Sequence, residues 1–205
     1  MSEQHPTVRR LRPRKVVAHA ATALVIGGLV AAVVFVSVRP EIATALTLAI
    51  TQGEPDSAHS ALDRFYDLPD LAKDSFNAGQ IEDARRYAQE LLALAPTYPS
   101  DWNYGNALHD GNMVLGRIAA REGRLDDAER YLLAAGATPG SPQLDSFGPN
   151  MSLAKDLLDK GRRRVVLEYF ELCRKFWEME DGKLDTWRTQ VENGQIPDFR
   201  ANLLY

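Results

Sequence analysis

The sequence predicts an all-α protein in which an N-terminal transmembrane helix precedes a stack of about three helical hairpins and a C-terminal capping helix. Two observations carry this prediction. One is a 23-residue segment, 16–38, that contains no Asp, Glu, Lys or Arg. The other is a pattern of Leu, a small residue, a basic residue, five further residues and Gly, which occurs at 71–79, 115–123 and 153–161. Recurring units of this size are typical of stacked hairpins, because one hairpin cannot bury its apolar face alone.

The first element is the apolar segment 16–38, which follows a basic tail at 1–15. As a helix it would be roughly 34 Å long, enough to cross a hydrocarbon core of about 30 Å. The apolar core of a cleaved signal peptide is typically about 7–15 residues, so the length favours an anchor that stays on the protein. The small residues at 43–45 keep one alternative open, a cleaved and exported soluble repeat protein.

Flanking charge predicts the orientation of this single-pass helix. Five basic residues precede it within 9–15, and only Arg39 follows it closely. The positive-inside rule then places the N-terminus in the cytoplasm and the rest of the chain outside it, in the periplasm if the source is a bacterium. Ala23, Gly27 and Ala31 lie four residues apart, a spacing that would also allow a homo-oligomer through the anchor.

Charge excludes one class of partner for the segment after the anchor. Residues 40–205 contain 18 Lys or Arg and 27 Asp or Glu, in a chain whose net charge is -4. Non-specific binding of nucleic acid needs a basic face against the phosphates. We therefore expect no nucleic-acid partner.

Residues 39–68 are predicted to be a linker and a degenerate helical hairpin, with short helices at about 41–52 and 56–67. The repeat domain follows at 69–205. Its first helix is predicted to begin at a cap, Asp70, and to end at Asn77, with Gly79 closing it in a left-handed conformation. The second helix starts near Ile81 and ends at Pro96.

The landmarks of these hairpins resemble the tetratricopeptide repeat (TPR). The first set is Leu71, Ala72, Gly79, Ala84, Ala88, Leu91 and Pro96; the second is Leu115, Gly116, Ala119, Gly123, Ala128 and Leu132; the third is Leu153, Ala154, Leu157, Gly161, Val166 and Phe170. The family period is 34 residues, whereas the turn glycines here are 44 and 38 residues apart. The extra residues fall at 97–106, which carry three aromatics, and at 137–149. A last helix at about 183–193 caps the stack, and the tail at 196–205 either docks on the domain or serves as a ligand for another protein.

The resemblance implies a binding groove lined by the first helices of successive hairpins. Lys73, Arg117 and Lys155 match one groove-facing position, and stacking would align them as a basic column for a peptide carboxylate or an acidic segment. Asn112 and Asn150 would add hydrogen bonds, and Met113 and Met151 would form an adaptable apolar floor. The alternative is that these cations are solvated and paired with nearby acids such as Asp74 or Asp156.

No motif in the sequence predicts a reaction centre. There is no metal-ligand spacing, no glycine-rich phosphate loop and no serine nucleophile elbow. The single cysteine, Cys173, falls in an apolar helical register. We therefore predict no enzyme activity, cofactor or metal, and a membrane-anchored scaffold that binds a partner protein or peptide in an envelope complex. An enzyme with a non-obvious site remains the rival class.

Overall fold

The computed structural model describes residues 60–203. In this range the chain forms α-helices and short 3-10 helices without any strand, which confirms the predicted all-α class. No helix between residues 60 and 203 is long and apolar enough to cross a membrane. The basic tail 1–15, the predicted transmembrane helix 16–38 and the predicted helix 41–52 lie outside the described residues.

The helices form three consecutive hairpins and a C-terminal helix. The first hairpin pairs α1 with α2, the second pairs α3 with α4, and the third pairs α6 with α7. The bounds are α1 60–77, α2 Ile81–Leu94 with a 3-10 turn Ala95–Thr97, α3 Tyr104–Arg121, α4 Leu125–Gly136, α5 Pro142–Phe147, α6 Ser152–Leu158, α7 Arg163–Cys173, α8 Lys183–Glu192 and a 3-10 turn Arg200–Leu203.

The three hairpins share one turn geometry. The glycine after each first helix has a φ of +76°, the left-handed conformation predicted for Gly79. The amide of the following residue then donates to a carbonyl five residues back, as in Gln80 N to Ser75 O at 2.8 Å. These bonds satisfy carbonyls that the helix end would otherwise leave unpaired. The other two bonds, both 2.9 Å long, are Arg124 N to Ala119 O and Arg162 N to Leu157 O.

The small residue of the repeated pattern is buried in every copy, as Ala72, Gly116 and Ala154. At Gly116 the approach is closest, because an added Cβ would lie 2.2 Å from Cδ2 of Leu153 on α6. A larger residue there would separate α3 from α6. The pattern thus marks where first helices of neighbouring hairpins touch.

The first helix differs from its prediction. A single helix covers 60–77 and passes through Pro69, where we expected one helix to end near 67 and another to begin at Asp70. Phe65, Leu68 and Phe76 are at most 1% exposed and share one face across the proline. Burial of this face outweighs the hydrogen bond that a proline removes from a helix.

The two segments that lengthen the period are also more ordered than expected. Helix α3 begins at Tyr104, within the first of these segments, so Asp110 lies inside the helix. Within the expected loop 137–149, Ser141 caps α5 by accepting a hydrogen bond from the Leu144 amide.

The C-terminal segment docks on the domain through residue 203. Helix α8 packs against α7 and buries Leu184, Trp187 and Val191. Phe199 is fully buried, with its ring edge-on to Trp187 at a centroid distance of 4.9 Å. Of the two alternatives for the tail, the structure therefore shows docking on the domain, through residue 203.

Candidate functional site

Each of the three basic residues predicted to form a column has a carboxylate partner. Lys73 Nζ lies 3.0 Å from Asp70 and 3.2 Å from Asp110, and its side chain is 17% exposed. Arg117 Nε lies 3.0 Å from Asp156 on α6, with 18% of the side chain exposed. An acidic ligand would have to displace these partners before it could pair with either cation. The third residue, Lys155, pairs at 2.9 Å with Asp159, the residue directly after its helix α6.

The ion pairs of α3 tie the first helices of the hairpins together. Asp110 and Arg117 are seven residues apart on α3 and therefore share a face. Asp110 bonds to α1 through Lys73, and Arg117 bonds to α6 through Asp156. The Arg117 guanidinium also lies 4.6 Å from the centroid of the Phe76 ring on α1, a cation–π contact.

The negative charge of Asp110 is stabilised although the carboxyl group is buried. Burial opposes its ionisation, but the hydrogen bond from His109 and the positive charge of Lys73 outweigh burial and lower the pKa of the Asp110 carboxyl. Burial likewise opposes protonation of Lys73, yet the charge of Asp110 and the hydrogen bond to Asp70 raise the Lys73 pKa. The pair is therefore ionised at neutral pH.

A buried polar chain continues from this pair into the core. The Asp110 carboxylate can only accept, so His109 Nδ1 donates to it, over 3.0 Å. His109 Nε2 lies 3.3 Å from the Tyr169 hydroxyl, which donates to the Asn150 carbonyl at 3.1 Å. His109 is 1% exposed and Tyr169 is fully buried. This chain joins α1, α3 and α7 and fixes one wall of the site.

The remaining predicted site residues hydrogen-bond or pack within the fold, and of them Asn150 also lines a surface cleft. Asn112 Nδ2 donates to the Leu108 carbonyl of its own helix at 2.7 Å. Asn150 is 8% exposed, and its side-chain oxygen accepts from the Ser152 amide at the start of α6. Met113 and Met151 are fully buried in the core, so neither reaches the surface that a ligand would touch.

The structure shows two adjoining clefts beside Lys73. The Trp102 cleft, of about 680 Å³, is lined by Tyr66, Pro69, Asp70, Lys73, Trp102, Asn103, Asn106, Asp110 and Gln143. The Phe147 cleft, of about 280 Å³, is lined by Lys73, Asn106, His109, Asp110, Gln143, Leu144, Phe147, Gly148, Pro149, Asn150, Ala201 and Asn202. Four residues line both clefts, so the two form one continuous depression. An exposed aromatic residue lies in each, Trp102 at 52% and Phe147 at 78% exposed.

Trp102 is held in place by its neighbours. Its ring lies nearly parallel to Tyr66, with centroids 5.9 Å apart and 19° between the planes. The Tyr66 hydroxyl donates to Asp101 Oδ2 at 2.7 Å, and this bond is the main reason that the Tyr66 pKa is raised. Asp101 Oδ1 accepts from the Asn103 amide at 2.8 Å. One face of Trp102 therefore rests on Tyr66, and the exposed half of the ring is presented in a fixed orientation.

The other two aromatics of the 97–106 segment pack inward. Tyr98 lies 5.0 Å, ring to ring, from the buried Phe65, and Tyr104 packs on the same apolar cluster. Two aromatics of this segment therefore cover the core, and Trp102 stays on the surface.

Sequence reasoning missed the carboxamides of the Trp102 cleft, Asn103, Asn106 and Gln143. They lie in the two segments that lengthen the repeat period. The departure from the 34-residue period is the feature of the sequence that could have pointed to them. In the described part of the chain, no three His, Cys, Asp or Glu side chains cluster closely enough to hold a metal ion. Cys173 is fully buried, and burial raises the pKa of its thiol.

Comparison with known proteins adds no assignment: no family model, no curated protein and no solved structure matches the chain.

Proposed function

We propose that this protein is a membrane-anchored, TPR-like scaffold that binds a segment of a partner protein in the continuous depression formed by the Trp102 and Phe147 clefts. The observation that carries the proposal is the pair of exposed aromatics, Trp102 and Phe147, one in each of the two adjoining clefts. Exposed aromatics that the fold itself does not bury are frequent anchors of protein interfaces, and Trp is the most enriched among them.

The depression fits an extended chain segment. It runs from α1 across the N-terminal half of α3 to α5, and both period-lengthening segments contribute to it. Its centre offers amide and charged groups, which match the main chain of a peptide. Anchoring through 16–38 would hold this surface near the membrane and outside the cytoplasm, where an envelope assembly would be the partner.

The basic column of Lys73, Arg117 and Lys155 remains a prediction as a binding site. Because all three cations already pair with carboxylates, we favour recognition by aromatic and amide groups over recognition of an acidic segment. The buried His109–Asp110 pair is the feature that would serve an enzyme best, and it lies at the wall of the Phe147 cleft. A purified chain that shows turnover, lost on His109→Gln, would favour the rival class.

Site-specific photo-crosslinking tests the scaffold proposal. Phe147 is replaced by benzoylphenylalanine, which keeps the aromatic ring, and the full chain is irradiated in native membranes. Arg130 on α4, with 74% of its side chain exposed, is the control position outside the depression. We expect one defined protein adduct from position 147, and from a second probe at Trp102, with no such adduct from position 130. The same adducts from position 130, or none from either cleft position, would refute the proposal.

A further inference from the structure

We infer that the Trp102 cleft recognises a proline-rich segment in the polyproline II conformation that carries a basic side chain next to its prolines. This inference rests on the proposed function, since it names the chemistry of the segment that the depression binds. Three independent features of the cleft support it: the aromatic surface, the hydrogen-bonding capacity of the carboxamides and the charge.

The aromatic surface is flat, exposed and preorganised. Tyr66 stacks on Trp102, and the hydrogen bond from the Tyr66 hydroxyl to Asp101 holds Tyr66 in place, so little ordering is left for binding. Pro69 lines the same cleft. Proline rings stack on such surfaces, and aromatic-lined grooves are the usual receptors of polyproline II helices, which are stiff before they bind.

The carboxamides are oriented by a chain of hydrogen bonds that starts at the helix cap of α5. Ser141 Oγ accepts a hydrogen bond from the Leu144 amide at 3.0 Å, and the Ser141 hydroxyl donates one to Asn106 Oδ1. This bond directs Asn106 Nδ2 toward Asn103 Oδ1 at 2.9 Å and Gln143 Oε1 at 3.1 Å. The amide oxygens of all three side chains thus accept hydrogen bonds within the domain.

The chain of bonds leaves donors, and not acceptors, for a ligand. Between residues 60 and 203, no acceptor receives a hydrogen bond from Asn103 Nδ2 or Gln143 Nε2, and both residues line the cleft. An ordinary extended peptide brings its own N–H donors, which need acceptors. Consecutive prolines have no N–H and expose all their carbonyls, because polyproline II has no internal hydrogen bonds. The carboxamides of the cleft therefore complement the main chain of a proline-rich segment.

The charge of the lining predicts the neighbouring residue of the ligand. The described residues that line the Trp102 cleft include two carboxylates, Asp70 and Asp110, and one ammonium group, Lys73. The Asp70 side chain is 79% exposed at the rim and uses one oxygen toward Lys73, so the other lone pairs face solvent. A Lys or Arg beside the prolines would pair with Asp70.

Peptide binding to the purified full chain in detergent tests the inference. The probe is a fluorescein-labelled peptide of repeated Pro-Pro-Arg, compared with a peptide in which Ala replaces each Pro and one in which Glu replaces each Arg. We expect saturable anisotropy with the first peptide and at least about tenfold weaker binding of the other two. Trp102→Ala should weaken the first by about thirtyfold or more, and Gln143→Met by about two- to tenfold. Arg130→Ala on α4, outside the depression and with 74% of its side chain exposed, is the control and should bind normally. Far-UV circular dichroism checks that each variant is folded.

The outcomes separate this inference from the proposed function. Equal binding of the proline and alanine peptides, lost on Trp102→Ala, would overturn the proline preference and leave the scaffold proposal standing. Binding that survives both Trp102→Ala and Gln143→Met would overturn the assignment of the cleft. If no peptide binds while the crosslinks from positions 102 and 147 appear, the inference alone fails; if the crosslinks are absent as well, both fail.

Discussion

Replacing Gly105 with Ala should destabilise the domain, although the same change in an exposed helix stabilises. Gly105 lies in the first turn of α3, against the segment that leads into α5. A Cβ built on it would lie 1.7 Å from the carbonyl oxygen of Gly140. Thr138 Oγ1 also donates to the Gly105 carbonyl at 2.8 Å. Because the clash is with backbone, no side-chain rotation relieves it, and the 138–141 segment has to move away.

The magnitude follows from three contributions. Forcing an extra methyl group into a packed contact costs about 1–3 kcal/mol. Loss of the Thr138 hydrogen bond costs about 0.5–1.5 kcal/mol. The better helix propensity of Ala returns up to about 1 kcal/mol. The free energy of unfolding should therefore fall by about 0.5–4.5 kcal/mol. Movement of this segment would also displace Gln143 from the Trp102 cleft.

Urea unfolding of the full chain in detergent, followed by tryptophan fluorescence, measures this loss. Thr138→Val is the matched control, since it removes the hydrogen bond and keeps the shape of the side chain. It should lose only about 0.5–1.5 kcal/mol. If Gly105→Ala is as stable as the wild type, or more stable, the contact between α3 and the 138–141 segment is not formed as described.

Three further predictions concern the turns, the ion pair and the N-terminal segment. Replacing any one of the turn glycines Gly79, Gly123 and Gly161 with Ala should lower the free energy of unfolding in urea by about 0.5–1.5 kcal/mol. The three losses should be equal, because each glycine has a φ of +76° and no heavy atom lies within 4 Å of an added Cβ. A site at which Ala costs nothing would contradict the shared geometry. Because the pKa of Asp110 is lower in the folded state, its charge stabilises the fold above the unfolded pKa of about 3.9, and this contribution is lost as the pH falls further. Asp110→Asn should therefore lower the free energy of unfolding by about 1.5–3 kcal/mol at pH 7 and by less at pH 3 in the same assay. An equal loss at the two pH values would contradict the ion pair. The full chain should stay in the membrane pellet after carbonate extraction at its complete mass and leave it on deletion of 16–38, and a shortened, soluble form would favour the exported alternative.

The hairpins were predictable because their signals are local. A glycine that must adopt a positive φ and a small residue at a helix contact are both fixed by neighbours a few positions away. The path of α1 was not predictable in this way. Pro69 is a strong local stop signal, and only burial of Phe65 and Phe76 against the rest of the domain overrides it.

The candidate site was predicted less well, since spacing locates a side chain on a helix but not its partners. Lys73 was placed at the site from the sequence alone, and it does line both clefts. Its pairing with Asp110 depends on how α1 and α3 pack, thirty-seven residues apart in sequence. Met113 and Met151 follow the repeat as closely as Lys73 does, yet both face the core.

The departures from the repeat period give the structural reason why the site lies where it does. A regular stack of hairpins needs only short turns. To its core the extra residues at 97–106 and 137–149 add Leu144, which is buried, and Tyr98 and Tyr104, which are partly buried. They also add the aromatic side chains of Trp102 and Phe147 and the amide donor of Gln143, which line the clefts together with residues of α1 and α3. Ordering these segments costs conformational entropy, and a side chain as exposed as Phe147, at 78%, contributes little burial to offset that cost. A ligand that covers this surface would offset that cost. We therefore propose that recognition lies in the inserted segments and that the hairpins hold them rigid.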